Sequence, residues 1–138
     1  MSWKKSLKEI KRDLSFLKDY WVVLYGSYVR NEFTRRSDID VAVITCKKGF
    51  KENVSIFKKL QQAPPPYDIR IFELLPLHIK MEIFKKYIVL FGDPLEISEY
   101  MYSYYRIWRD MEFRIRENRV RSVEDIIRGI RRRKLFQT

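Results

Sequence analysis

The sequence contains few of the residues that build disulfides, zinc sites and histidine-dependent active sites. Its 138 residues include one cysteine and one histidine. A single cysteine cannot form an internal disulfide, and there is no Cys/His cluster for a structural zinc site. One histidine without a nucleophile-elbow motif does not support a Ser-His-Asp hydrolase, and the Walker A pattern of P-loop enzymes is missing. Cys46 is therefore interpreted as a buried small hydrophobic residue at a strand end rather than a nucleophile.

Long apolar runs are also lacking. No segment approaches the length of a transmembrane helix, and the basic N-terminus lacks the apolar region of a signal peptide. With the single thiol, this predicts a cytoplasmic protein without membrane contact. The hydrophobic content of 46% and aromatic content of 15% are typical of a globular protein, and the length allows one domain with a substantial core.

Positive charge is in excess. Lys and Arg number 29 against 18 Asp and Glu, a formal net charge of +11. Such a field favours polyanions such as nucleic acid, nucleotides or an acidic protein partner, although a solvated basic surface is the simpler explanation. Basic residues are frequent after residue 101 and end in the run 131–134. RNA or protein docking by this basic C-terminal helix is the more specific hypothesis, and a solvated face is the default.

The chemistry is concentrated in residues 24–43. The pattern predicts a strand, a Gly26-Ser27 turn, a short helical segment and a second strand that begins near Asp38 and Asp40. Side chains two apart on a strand point to the same face, so the two carboxylates would lie together. Carboxylates without Cys or His nearby suit Mg²⁺ or Mn²⁺ better than Zn²⁺.

Gly26 and Ser27 supply the second half of the predicted site. A small residue and a hydroxyl where a helix begins leave backbone N–H groups free to bind an anion. A phosphate cradle beside a two-carboxylate metal site is the minimum equipment for handling a nucleoside triphosphate.

These residues carry a family resemblance. Gly26-Ser27, Arg30 and Ser37-Asp38-x-Asp40 resemble the GSxxRG…SDxD signature of the DNA polymerase β-like nucleotidyltransferase superfamily, and the short chain resembles its minimal nucleotidyltransferases. The family usually has Gly after the arginine, where this chain has Asn31. Asn tolerates a left-handed backbone better than other non-glycine residues, so we expect the turn to survive.

The resemblance implies an α/β (α+β) nucleotidyltransferase fold, with a small mixed sheet flanked by helices and a helical C-terminal tail. It places the catalytic core at residues 1–94 and a helical extension, packed on the core within a single domain, at residues 95–138. An aromatic stripe over 95–118 is expected to be core or a helix–helix interface, and it offers a route to an oligomer. The pattern also predicts these elements: helices over 3–19 (capped by Ser2), 27–33, 51–62, 75–86, 95–118 and from Ser122, and strands over 21–25, 39–45, 67–73 and 88–91.

The resemblance also implies roles for individual residues. Asp38 and Asp40 would bridge two Mg²⁺ ions, with Mn²⁺ as the alternative metal. Asp68, placed early on the third strand, would be a further metal ligand and the base for the attacking hydroxyl. An exposed Asp that caps a turn is the alternative for Asp68, and Glu73 at the far end of that strand is the fallback.

The remaining implied roles concern the nucleotide. The Gly26 and Ser27 backbone, with the Ser27 hydroxyl, would bind the β- and γ-phosphates, and Ser37 would add a hydroxyl contact. Arg30 would neutralise phosphate charge or brace the loop. Arg70 would touch substrate or pair with a carboxylate.

The acceptor of the nucleotide is open from sequence. Some minimal nucleotidyltransferases act as antitoxins beside a HEPN-type toxin and transfer AMP onto a toxin tyrosine, which makes a HEPN toxin one expected partner. A transferase that modifies RNA or a small molecule on its own is an alternative. A catalytically idle module that binds nucleotide or protein is another.

Overall fold

The computed structural model describes residues 4–47, 49–61, 63 and 65–136, with side chains described up to residue 118 and over 123–129. Helices and strands alternate through this part of the chain. The helices are α1 (Leu7–Asp13), α2 (Phe50–Leu60), α3 (Leu77–Lys85) and α4 (Pro94–Phe136), and the strands are β1 (Trp21–Tyr25), β2 (Ile39–Ile44), β3 (Tyr67–Ile71) and β4 (Ile88–Phe91). None of the described helices is both long and apolar enough to cross a membrane.

The four strands form one mixed sheet in the order β3-β2-β1-β4. β1 is antiparallel to both β2 and β4, whereas β2 and β3 are parallel. A parallel pair needs a crossover connection, which α2 provides here. The predicted fold class, a small mixed sheet with flanking helices and a helical C-terminal region, is confirmed.

Both faces of the sheet are covered, in agreement with the period-two pattern of β2. Ile39, Val41 and Val43 pack into one core cluster. Ala42 and Ile44 point to the other face, where α3 and the first turns of α4 cover them. Asp40 shares that second face but lies at its edge and is only half-buried.

Several predicted boundaries were wrong. The first helix begins after Ser6, whose hydroxyl accepts the Glu9 N–H; the predicted cap Ser2 lies outside the described residues. The segment predicted as a helix over 27–33 forms only a 3-10 turn at Gly26–Tyr28. The predicted break at Ser122 is absent, because the α4 backbone runs through it without interruption. No Gly or Pro stands near Ser122, and a helix interior tolerates an isolated Ser.

The chain divides into two compact units, Met1–Tyr104 and Tyr105–Thr138. The first unit contains the sheet and the start of α4, whose Ile97 and Met101 are fully buried in the second core cluster. The division predicted at residue 94, and the packing of the whole extension, stay predictions. The side chains of the basic run 131–134 lie outside those described.

Candidate active site

Asp40 and Asp68 lie next to each other on neighbouring strands. The parallel register of β2 and β3 pairs Asp40 with Asp68, and paired residues on adjacent strands present their side chains to the same face. Burial raises the pKa of Asp40, and the charges of Asp68 and Asp38 raise it further, while Arg30 and Arg70 act in the opposite direction. The three carboxylates predicted from sequence therefore lie close enough together to repel one another.

Arg70 pairs with one of these carboxylates. Its Nε donates to Asp68 Oδ1 at 3.1 Å, between side chains that are 52% and 37% exposed. Of the two roles that sequence left open for Arg70, pairing with a carboxylate is the one present. The exposed pair is weak enough for Asp68 to exchange Arg70 for another cation.

The turn at Gly26 packs directly against Asp40. Gly26 has φ +75°, and a methyl group built on it would overlap Asp40 Oδ2. Its carbonyl accepts the N–H groups of Val29 and Arg30 at 3.2 and 3.1 Å. The sequence therefore needs glycine here for two reasons, a left-handed backbone and the close approach of a carboxylate.

Tyr25 is a site residue that sequence reasoning missed. It is the partner of Asp40 in the antiparallel β1–β2 register. Burial, together with the charges of Asp40 and Asp68, raises its pKa to about 12, so its hydroxyl keeps its proton at neutral pH. The available signal was its position as the last strand residue before Gly26.

The loop after the turn holds the other predicted binding residues. Asn31 has φ 60°, which confirms that it takes the left-handed conformation expected of the family's glycine. Arg30 is exposed, and its Nε lies 3.3 Å from Glu32. Ser37 Oγ accepts the Thr34 N–H at 3.0 Å and so braces this loop. The Ser37 and Ser27 contacts to phosphate stay predictions.

Glu73, the fallback for Asp68, lies elsewhere. Its carboxylate accepts the backbone N–H groups of Thr45 and Cys46 at 3.1 and 3.0 Å and the Tyr100 hydroxyl at 2.7 Å. Thr45 and Cys46 follow the C-terminal end of β2, whereas Asp40 lies near its beginning. Cys46 is exposed there, so its predicted burial was wrong. Glu73 is thus a structural residue, and Asp68 is the third carboxylate that faces the site.

The donor set fits a hard divalent cation. The three aspartates offer only oxygen ligands, the chemistry that Mg²⁺ and Mn²⁺ accept. The pKa of Asp40 is raised first by burial and then by the charges of Asp68 and Asp38, and a bound cation would counter both effects. Among the described residues, no group of three acidic, His or Cys side chains is placed to hold a metal ion by itself. Mg²⁺ is usually bound by one or two carboxylates together with water and phosphate oxygens. The number of ions stays a prediction.

Comparison with known proteins defines the class. The family model for the nucleotidyltransferase domain matches residues 5–90, a span that includes β1, β2, β3, most of β4 and every residue of the candidate site. The chain belongs to this family and is a nucleotidyltransferase.

Individual relatives agree with this assignment. The chain is 51% identical over 108 residues to a candidate protein adenylyltransferase of Methanocaldococcus jannaschii, covering 78% of this chain and 84% of the relative. It is similar in fold to a chain of a toxin–antitoxin crystal structure with AMP-PNP, with a TM-score of 0.56, 14% identity, and coverage of 85% and 98% of the two chains. A chain from a complex of the tri-AMPylated Shewanella oneidensis HEPN toxin with its MNT antitoxin gives a TM-score of 0.53 at 13% identity, covering 88% of this chain and 99% of that one.

Proposed function

We propose that this chain is a Mg²⁺-dependent adenylyltransferase that moves AMP from ATP to a hydroxyl of a HEPN-type toxin protein, as the antitoxin of a toxin–antitoxin pair. One structural observation carries the catalytic part of the proposal, the pairing of Asp40 with Asp68 in register beside Gly26. The protein adenylyltransferase activity for which the 51% identical relative is named supports AMP and a protein acceptor. The fold similarity to chains of toxin–antitoxin complexes supports the partner.

The proposed reaction is an in-line displacement at the α-phosphorus of ATP. The acceptor oxygen forms the new P–O bond while the bond from the α-phosphorus to the bridging oxygen breaks, and pyrophosphate leaves with that oxygen and its electron pair. Asp68 orients the acceptor hydroxyl and takes its proton. Asp38 and Asp40 would hold the divalent ions, which supply charge stabilisation for the attacking and leaving oxygens.

The remaining site residues bind and orient the nucleotide. The Gly26-Ser27 turn and the Ser27 hydroxyl hold the terminal phosphates, and Arg30 offsets their charge. Tyr25, protonated at neutral pH because its pKa is about 12, donates a hydrogen bond within the site. We place the reaction in the cytoplasm, where ATP is abundant and the single thiol of Cys46 needs no oxidising compartment.

Labelled ATP tests the proposal directly. The purified chain is incubated with α-labelled ATP and Mg²⁺, with and without a HEPN-type protein encoded beside it and with total RNA in a parallel reaction. Label on the HEPN protein, lost on its tyrosine substitution, is the expected result. Label on RNA would instead support the alternative that the net charge of +11 favours, a transferase acting on RNA alone. No divalent-dependent binding or transfer with any acceptor would leave an idle binding module and overturn the proposal.

A further inference from the structure

A small cleft adjoins the candidate site on the side away from Asp68's strand. Its volume is about 150 Å³, and it is lined by Tyr25, Gly26, Arg30, Glu82, Lys85 and Lys86. Half of this lining belongs to the turn described above, and the other half comes from the end of α3, a segment with no assigned role. Pockets that enclose a whole small molecule have volumes of roughly 300–1,000 Å³, so this cleft suits only one part of a nucleotide.

The α3 wall of the cleft is held firmly against the sheet. Ile83 is fully buried in the same core cluster as Ala42 and Ile44 of β2. The Lys86 N–H donates to the Ile83 carbonyl at 3.1 Å and closes the helix. The positions of Lys85 and Lys86 relative to Gly26 are therefore set by the core, while their side chains remain exposed.

The charges of the lining favour an anion. The lining contains three cations, on Arg30, Lys85 and Lys86, and one carboxylate, on Glu82. Lys85 Nζ lies 3.3 Å from Glu82 Oε1, with both side chains more than half exposed. Such surface pairs are weak, and Lys86 has no ion pair among the residues that the structure describes. Arg30 has a similarly exposed pair with Glu32 at 3.3 Å, so the cleft can present all three cations to a ligand at the cost of two weak surface pairs.

We propose that Lys85 and Lys86 bind the pyrophosphate portion of the nucleoside triphosphate, opposite Arg30 and the Gly26 turn. The inference rests on the proposed function and deepens it, because it names a second wall for the same site. The carboxylates on one side of the turn repel phosphate unless a metal intervenes, whereas the cleft on the other side attracts it directly. The β- and γ-phosphates, which carry most of the negative charge and leave together, match the size and charge of the cleft.

A purely structural role is the alternative explanation for both lysines. Cations in the last turn of a helix commonly stabilise it through the helix dipole. That role would affect the stability of the protein without distinguishing one nucleotide from another, so a measurement that compares two nucleotides separates the two explanations.

The test compares binding of AMP-PNP and of AMP by calorimetry, in Mg²⁺ buffer, for two double variants. Lys85→Ala/Lys86→Ala removes the cleft lysines. Lys58→Ala/Lys59→Ala makes the same charge change in the last turn of α2, outside the cleft. We expect the cleft variant to bind AMP-PNP about tenfold more weakly, to lose less than about twofold for AMP, and to match the control in melting temperature. The variant Lys85→Ala/Lys86→Arg, which keeps one cation in the cleft, should bind AMP-PNP more tightly than Lys85→Ala/Lys86→Ala.

Other outcomes decide against the inference. Equal weakening in both double variants would show that only the general field matters, and equal weakening for AMP and AMP-PNP would show that the lysines do not bind the leaving phosphates. If the parent binds AMP-PNP and transfers AMP while the cleft variant does both equally well, the inference is wrong and the proposed function stands. If the parent binds no nucleotide in the presence of Mg²⁺, both are wrong.

Discussion

Asp40 of β2 lies directly beside Asp68 of β3, in register on two parallel strands. The partner of Asp40 on its other side is Tyr25, a neutral residue at neutral pH. Two carboxylates held side by side on neighbouring strands are unfavourable unless a cation or a proton lies between them. The fold therefore fixes an electrostatic cost at one place, and a bound divalent cation would relieve it.

Asp40→Asn and Asp68→Asn should each abolish nucleotidyl transfer. Each change removes a carboxylate oxygen charge at the site while keeping the side-chain shape, and we expect a loss of at least about 100-fold, comparable to the loss of a major transition-state contact. Transfer from α-labelled ATP measures the effect. Asp19→Asn, at an exposed position that precedes β1 and lies outside the motif, is the matched control and should retain activity. Substantial transfer by either site variant would show that the carboxylate pair is not catalytic.

The same Asp40→Asn change should not destabilise the metal-free protein at neutral pH. The folded-state pKa of Asp40 is raised, chiefly by burial and then by Asp68 and Asp38. Between the ordinary pKa of an aspartate, 3.8, and that raised pKa, the folded state binds more protons than the unfolded state, so stability falls as the pH rises through this window. Above this pH window, the folded parent protein bears the full free-energy cost of the charged Asp40 carboxylate, and the Asp40→Asn variant does not.

Thermal denaturation in EDTA at pH 7 measures this difference. The melting temperature of Asp40→Asn should equal or exceed that of the parent by a few degrees at most, and the gap should narrow as the pH falls towards 4. Adding Mg²⁺ should raise the melting temperature of the parent more than that of the variant. A clear drop for the variant in EDTA would mean that Asp40 has a structural role.

Gly26→Ala should damage both stability and activity. The new methyl group would overlap Asp40 Oδ2, and alanine would have to adopt φ +75°. We expect a loss of about 2–3 kcal/mol in the free energy of unfolding, and loss of transfer because the Asp40 carboxylate must move. Urea denaturation and the transfer assay measure the two effects.

Gly49→Ala is the control for Gly26→Ala. Gly49 has φ −76°, which any residue adopts, and its nearest contact for an added methyl group is Glu52 Cγ at 3.6 Å. The smaller entropy of unfolded alanine offsets the loss of a favoured glycine at a helix start, so we expect a change within about 0.5 kcal/mol. Equal effects of the two substitutions would contradict the packing of Gly26 against Asp40.

Most of the candidate site could be predicted from the sequence because its residues form a local pattern. Asp38, Asp40, Gly26 and Asn31 lie within one short stretch, where strand alternation and turn chemistry settle their placement. What could not be predicted depends on the register between distant strands. Tyr25 joins the site only because β1 pairs with β2 in one particular alignment.

The choice between Asp68 and Glu73 shows the same limit. Both acids stand on one predicted strand, and alternation alone does not say which end faces Asp40. The parallel alignment of β3 on β2 decides it in favour of Asp68. The strand also stops at Ile71, so Glu73 belongs to a 3-10 turn and points to partners that the one-dimensional pattern does not reveal.

Glu73→Ala should lower stability without removing the catalytic carboxylates. Its carboxylate accepts the N–H groups of Thr45 and Cys46 and the Tyr100 hydroxyl. Cys46 has φ 59°, an unfavourable value for a non-glycine residue, and its N–H bond to Glu73 helps to hold that conformation. Left without an acceptor, these donors should cost about 2–4 kcal/mol in the free energy of unfolding, measured by urea denaturation.

The matched control for Glu73→Ala is Glu99→Ala, an exposed position one residue before Tyr100 on α4, which should change stability by less than about 0.5 kcal/mol. Folded Glu73→Ala protein, assayed well below its melting temperature, should still bind AMP-PNP with Mg²⁺, because Glu73 lies beyond the opposite end of β2 from Asp40. If Glu73→Ala abolished nucleotide binding while leaving the melting temperature unchanged, Glu73 would have to be assigned to the active site. Unchanged nucleotide binding together with a lower free energy of unfolding would instead establish that the two acids have different roles. Asp68 would take part in catalysis, and Glu73 would connect the C-terminal end of β2 to α4.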